Sequence, residues 1–134
     1  MINAYKKYWT NFFNFSDRTS RKDFWLTILM IFIVNICFSL VISLIFGHSV
    51  DFSQVKTVEE LMEVLKDPVA IISLIWTIAN IIPGLAMDVR RMHDINKSGW
   101  FIFITLIPLV GGIIYLVWLC TASVDNDNNY GSQV

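Results

Sequence analysis

The sequence predicts an all-α membrane protein with three transmembrane helices, an amino-terminal amphipathic interfacial helix and a short amphipathic helix in the first loop. Three observations predict it. The runs 24–46, 69–87 and 100–120 contain no formally charged residue, and each is close to the ~20 apolar residues that cross a ~30 Å hydrocarbon core. The chain is 55% hydrophobic and 16% charged over 134 residues, against ~25% charged in soluble domains, and a soluble chain this small could not hide so much apolar surface. The cations cluster on particular connections, as they do around membrane spans. Length alone predicts one domain, 1–134.

The interfacial helix is expected over about 4–15. Tyr5, Tyr8, Trp9, Phe12 and Phe13 recur at helical spacing, while Lys6, Lys7, Thr10, Asn11 and Asn14 take the rest of the wheel. Aromatic rings beside lysines suit the headgroup layer, and the same face could equally pack on the protein's own helices. Charged and polar residues interrupt the stretch, so a cleavable signal peptide is not expected. Ser20 with Asp23 three residues later marks the start of the first span, about 24–46. Within it Asn35, Ser39 and Ser43 recur every fourth residue, a polar stripe of the kind that packs against another helix.

Between the first two spans, Thr57 and Glu60 form a capping box for a helix over about 58–66, whose stripe is Val58, Leu61, Met62 and Leu65. Asp67 before Pro68 ends it. The second span, about 69–87, carries Asn80 and Pro83, which predict a kink near 79–83, with Asn80 capping a freed carbonyl or reaching Asn35. The third span, about 100–120, contains Pro108 and the pair Gly111-Gly112, predicting a bend and a close helix approach. The tail 121–134 is polar, asparagine-rich and expected to be loosely ordered.

Orientation follows from the cations. Five (Lys6, Lys7, Arg18, Arg21, Lys22) precede the first span and three (Arg90, Arg91, Lys97) lie between the second and third, against Lys56 and Lys66 in the other connection and none in the tail. Eight against two places the amino terminus and the 88–99 corner in the cytoplasm, with the first loop and the carboxyl terminus outside. Cys37 and Cys120 fall inside apolar runs at different depths and read as unpaired core residues. His48 and His93 fall on opposite faces, so no shared metal is expected. A net charge of −1 gives no bulk basic character for nucleic acid.

The corner, Asp88 to Gly99, concentrates the polar chemistry in Asp88, Arg90, Arg91, His93 and Asp94. If the second helix continues past Met87, Arg90 and Asp94 stand at i, i+4 and Asp88 and Arg91 at i, i+3. Ser98 then caps the third helix and Trp100 anchors it at the interface. Three uses fit these residues. The first is structural pairing with the amino-terminal segment, which puts Asp88 or Asp94 within salt-bridge reach of Arg18 or Arg21. The second is phosphate recognition by guanidinium forks. The third is acid–base chemistry by His93 with Asp94 or Asp88; it would need a nucleophile or metal that the sequence does not offer beside them.

Three landmarks resemble a known family. They are Phe15, Arg18, Arg21, Asp23, Phe24 and Trp25 before the first span, the string Arg90 to Trp100, and Asn128 to Gly131 after the last. In this order they are similar to the small bacterial inner-membrane proteins grouped as domain of unknown function 805, the YhaH/YhaI-like type. Asp17 stands where that family usually has Gly, and the segment after Cys120 lacks glycines common there. The resemblance implies a multi-pass protein of the bacterial plasma (inner) membrane, with no assigned activity.

The leading functional expectation is a non-catalytic membrane protein acting through self-association, a membrane-protein partner or anionic lipid headgroups. An oligomeric small transporter or channel, with Asn35, Ser39, Ser43 and Asn80 lining its centre, is the alternative; the absence of a charge at mid-membrane counts against it. A further alternative is an enzyme acting on a lipid or phosphate headgroup at the cytoplasmic face through Arg90, Arg91, His93 and Asp94. No cofactor, metal or nucleic acid is expected.

Overall fold

Side-chain caps set the starts of several helices. The computed structural model describes residues 1–124 and 127–132. In chain order it contains α1 (Ile2–Thr10), α2 (Arg21–Phe46), a 3-10 turn (Phe52–Gln54), α3 (Val58–Val64), α4 (Pro68–Asp94), a 3-10 helix (Gly99–Leu106), α5 (Val110–Cys120), and the short strands β1 (Asp127–Asn128) and β2 (Gly131–Ser132). Ser20 Oγ accepts from the Asp23 amide at 3.2 Å to start α2. Thr57 and Glu60 form the reciprocal capping box of α3. Asp67 Oδ1 accepts from the Val69 amide at 2.9 Å to start α4. That helix ends in a Schellman turn: Asn96 takes φ 56°, and Lys97 N bonds Met92 O at 2.9 Å while Asn96 N bonds His93 O at 2.9 Å.

The chain forms two compact units, Ile31–Ile81 and Met1–Met30 together with the chain from Ile82 on. In the first, Asn35 Oδ1 accepts from Trp76 Nε1 at 2.8 Å, and the Phe38 ring stacks on Trp76 at 4.9 Å. Asn80 Nδ2 donates to the Trp76 carbonyl one turn back, at 2.8 Å. Ser39 lines a cavity of about 150 Å³ with Ser73 and Thr77. His48 Nε2 lies 2.8 Å from Asp67 Oδ2.

Two helices are long and apolar enough to cross a membrane, α2 with 26 residues and α4 with 27. At ~1.5 Å per residue each exceeds ~30 Å. The expected third span is not one helix of 21 residues. Pro108 has no amide to donate and pushes the residue before it out of helical geometry: Ile107 is extended at φ −79°, ψ 114°, and Leu109 follows at φ 62°. The 3-10 helix therefore stops at Leu106, and an 11-residue α5 begins at Val110.

The second unit holds that divided segment, α1, and the polar ends of α2 and α4. Its core includes Ala4, Tyr8, Phe24, Ala86, Met87, Met92, Ile95 and Leu119. α5 packs back along the 3-10 helix. A Cβ at Gly111 would overlap the Ile104 carbonyl oxygen, so glycine is what lets the two limbs meet. Phe101 and Trp118 meet edge to face at 5.5 Å, and Lys97 Nζ sits 4.7 Å from the Trp118 ring centre. α1 is shorter than expected, ending at Thr10 instead of continuing to 15. Its aromatic stripe is divided as a result: Tyr8 is buried against the protein, while Phe13, beyond the helix, is 71% exposed. Burial, then the neighbouring charges of Tyr5 and Asp88, pushes the Tyr8 hydroxyl up to about 12.

Candidate functional site: a buried arginine–aspartate clasp

Continuation of α4 to Asp94 carries the corner's polar residues into the protein, where one carboxylate organises them. Asp94 Oδ1 accepts from Arg18 Nε at 3.3 Å and Nη2 at 3.2 Å. Asp94 Oδ2 accepts from Arg91 Nη1 and from Ser123 Oγ at 2.5 Å. The Arg18, Arg91 and Asp94 side chains are wholly buried. One carboxylate does not balance two guanidinium groups, and backbone carbonyls supply the rest. Arg91 Nε and Nη2 donate to Leu119 O at 3.3 and 3.1 Å, and Nη2 also donates to Thr121 O. Arg21 Nη1 donates to Cys120 O at 3.2 Å. These oxygens end α5, where carbonyls lack intrahelical partners and the helix dipole favours cations.

Arg18 extends the network into the tail, donating to Val124 O at 3.1 Å and Gly131 O at 2.8 Å. Val124 N returns a bond to Asp94 O at 3.1 Å. Arg90, placed by sequence spacing opposite Asp94, turns the other way. Its Nη1 donates to Asn11 O and Asn14 O, both at 2.7 Å, and its Nε to Thr19 Oγ1 at 3.1 Å. Arg91 pairs with Asp94 because three residues of helix bring their side chains together. The His93 ring stacks on Tyr130 at 3.8 Å and 5°, and its carbonyl accepts from Asn128 Nδ2 at 2.8 Å. Asp88 lies apart from this network, beside Tyr8 and Tyr115.

Of the residues singled out from sequence, the structure brings together Arg18, Arg21, Arg90, Arg91, His93 and Asp94 and leaves Asp88 outside. Asn35, Ser39, Ser43 and Asn80 lie in the other unit. Sequence reasoning missed Thr19 and Ser123, hydroxyls with no motif of their own. The cation count puts the tail on the face opposite the amino-terminal segment, and its composition predicts loose order. Its described part instead docks beside Arg18, and Asp127–Ser132 forms a hairpin; positions 125, 126, 133 and 134 lie outside the described residues. Charge counting could not find this, because the tail binds through carbonyls, Asn128 and Tyr130 rather than through cations.

The guanidinium donors point at the chain's own acceptors. A cavity of about 30 Å³ beside them is lined by Tyr8, Asp17, Arg18, Asp23 and Arg90, room for about one or two ordered waters. Asp94 cannot orient His93 as a general base while Arg18, Arg91 and Ser123 hold both its oxygens. Among the described residues no group of three His, Cys, Asp or Glu could hold a metal.

The family described as "Protein of unknown function (DUF805)" matches residues 12–132. The chain belongs to this family. It is 28% identical over 123 residues to "Inner membrane protein YhaI" of Escherichia coli (strain K12), covering 92% of this chain and 87% of that protein. It is 29% identical over 127 residues to "Inner membrane protein YhaH" of the same strain, covering 95% and 92%. No solved structure matches. The DUF805 match spans both basic segments and the tail motif, so it covers all the elements that the clasp joins.

Proposed function

We propose that this DUF805 protein is a non-catalytic integral membrane protein that works by association within the bilayer, with anionic lipid headgroups, a membrane-protein partner or a second copy of itself. The observation that carries this is the commitment of Arg18, Arg91 and Asp94 to one another and to backbone carbonyls. Phosphate recognition or headgroup chemistry would need some of those donors free. What the protein presents outward is apolar helix surface, such as Leu44 at 84% exposure, and the exposed cations Lys6, Arg21 and Lys22. Cations at that depth attract anionic headgroups. The charge asymmetry supports a cytoplasmic amino terminus and corner.

Native mass spectrometry of the protein released from nanodiscs tests the proposal. Bound anionic lipid, a second subunit or a co-purifying membrane protein is expected. A bare monomer under all conditions would contradict it.

A further inference from the structure

The segment between the corner and the tail, residues 98–124, contains no formal charge, yet it is not built to cross a bilayer. The 3-10 helix has 8 residues and α5 has 11. At ~2.0 and ~1.5 Å per residue, each limb is about 16 Å long, roughly half of a ~30 Å core. Both ends of the segment are tied to one place. Ser98 caps the 3-10 helix next to the end of α4, and the carbonyls of Leu119, Cys120 and Thr121 are held by Arg91 and Arg21. The limbs run back to back, with Gly111 against Ile104 and Phe101 against Trp118.

The tip of this hairpin is apolar and outward-facing. Leu106 is 76% exposed, Ile107 53%, Leu109 87% and Val110 58%. Moving such side chains out of water is favourable in proportion to the apolar area removed, so the tip prefers hydrocarbon. Hydrocarbon requires backbone polar groups to find partners within the protein, and several at the turn do so. Pro108 has no donor, and the amides of Ile107, Val110 and Gly111 bond Ile104 O at 3.0 Å, Pro108 O at 2.7 Å and Ile107 O at 3.1 Å. The Thr105 hydroxyl donates to Ile102 O at 2.8 Å.

We infer that Gly99–Cys120 is a re-entrant hairpin whose tip is a lipid-facing surface. It enters the bilayer from the face that carries the clasp, reaches about its middle and returns to that face. The lipid acyl chains are its partner, and the tail lies on the same side as the amino-terminal segment. This rests on the membrane reading above but not on the association proposed there.

Cysteine accessibility in sealed vesicles of known orientation tests it. Single cysteines at Ser16→Cys, Ala122→Cys, Ser53→Cys and Leu106→Cys are placed in a Cys37→Ser/Cys120→Ser background. A membrane-impermeant maleimide is expected to label Ser16→Cys and Ala122→Cys from one side and Ser53→Cys from the other. Leu106→Cys should escape labelling from both sides, and a bimane label placed there under denaturing conditions should be quenched by nitroxide lipids carrying the probe deep in the acyl chain. Labelling of Ala122→Cys from the side of Ser53→Cys would mean a third crossing and overturn the inference. Free labelling of Leu106→Cys would place the tip in water or on a soluble partner and overturn it too. If Ser53→Cys is labelled from the side of Ser16→Cys, the two-span membrane reading fails instead, which separates the two failures. As a control against misfolded variants, a carboxyl-terminal epitope on the otherwise unsubstituted chain should be cleaved by protease from the side that exposes Ser16→Cys, and cleavage from the opposite side would likewise overturn the inference.

Discussion

Arg18 and Asp94 stand 76 positions apart in sequence and form a wholly buried ion pair at 3.2 Å. That pair joins the segment before the first span to the end of the second, and Arg18 carries it on to the tail through Val124 and Gly131. Removing one member of a buried pair leaves the other charged without a partner, so such a pair is a strict geometric requirement even where its net contribution to stability is small.

Arg91 uses the planar fork of its guanidinium, reaching Asp94, Leu119 O and Thr121 O at once. A lysine keeps the charge but not the fork. Arg91→Lys is expected to lower stability by about 1.5–3 kcal/mol, the worth of lost hydrogen bonds to a charged group. Thermal unfolding in mild detergent measures it; an unchanged midpoint would mean that the carbonyl contacts contribute nothing.

The adjacent glycines should respond in opposite ways. Gly111→Ala forces a methyl onto the Ile104 carbonyl and should cost about 1–3 kcal/mol. Gly112 has nothing within 4 Å of an added Cβ, so Gly112→Ala should be neutral or stabilise by about 0.5–1 kcal/mol through helix propensity. Comparing the two melting points checks the packing of the hairpin limbs, and equal shifts would contradict it.

Tyr130 holds the tail by stacking on His93. Tyr130→Phe should preserve the stack, whereas Tyr130→Ala should lose about 0.5–1.5 kcal/mol and free the tail locally. Hydrogen exchange at Asn128 and Gly131 reads this directly: acceleration in the alanine variant alone is expected, and equal exchange in both would show that the ring does not hold the tail.

In the first loop, the hydrogen bond from Asp67, then the Phe46 carbonyl and the Asp67 charge, raises His48 above 6.5. The Val69 amide, then His48, lowers Asp67 below 3.8. The sign follows from each direction. His48's contribution is fully present below pH 6.5 and is lost as pH rises through its raised folded value. Asp67's is present above pH 3.8 and is lost as pH falls through its depressed one. The pair is thus intact in mildly acidic solution and weakens toward alkaline pH. Nuclear magnetic resonance titration of the His48 ring should give a midpoint above 6.5 that falls back in Asp67→Asn, which keeps the cap on Val69; no change in Asp67→Asn would refute the pairing.

The sequence made α2, α4 and the caps at Ser20, Thr57 and Ser98 legible, because long apolar runs and local side-chain-to-backbone bonds are encoded within a few residues. It also put Arg18 and Asp94 on one face, because the cation count assigns the amino-terminal segment and the 88–99 corner to the same side of the membrane. It did not reveal how the third apolar run is used: hydropathy counts apolar residues, and the division at Pro108 depends on Ile107 and Leu109 leaving helical geometry. The partner of Arg90 was missed for a similar reason. At i, i+4 Asp94 looked available, but the carbonyls of Asn11 and Asn14 compete for the same guanidinium, and backbone acceptors leave no mark in a sequence.

The central claim is that the arginine–aspartate cluster clasps three parts of the chain together rather than receiving a ligand. A double-mutant cycle on Arg18→Ala and Asp94→Ala tests it most directly, with unfolding free energy and anionic-lipid binding by native mass spectrometry measured on the same four proteins. Each single variant should lose about 3–5 kcal/mol. The double variant should lose clearly less than the sum of the two singles, and lipid binding by the folded fraction should be unchanged. Unaltered stability combined with lost lipid binding would contradict the claim and make the cluster a recognition site.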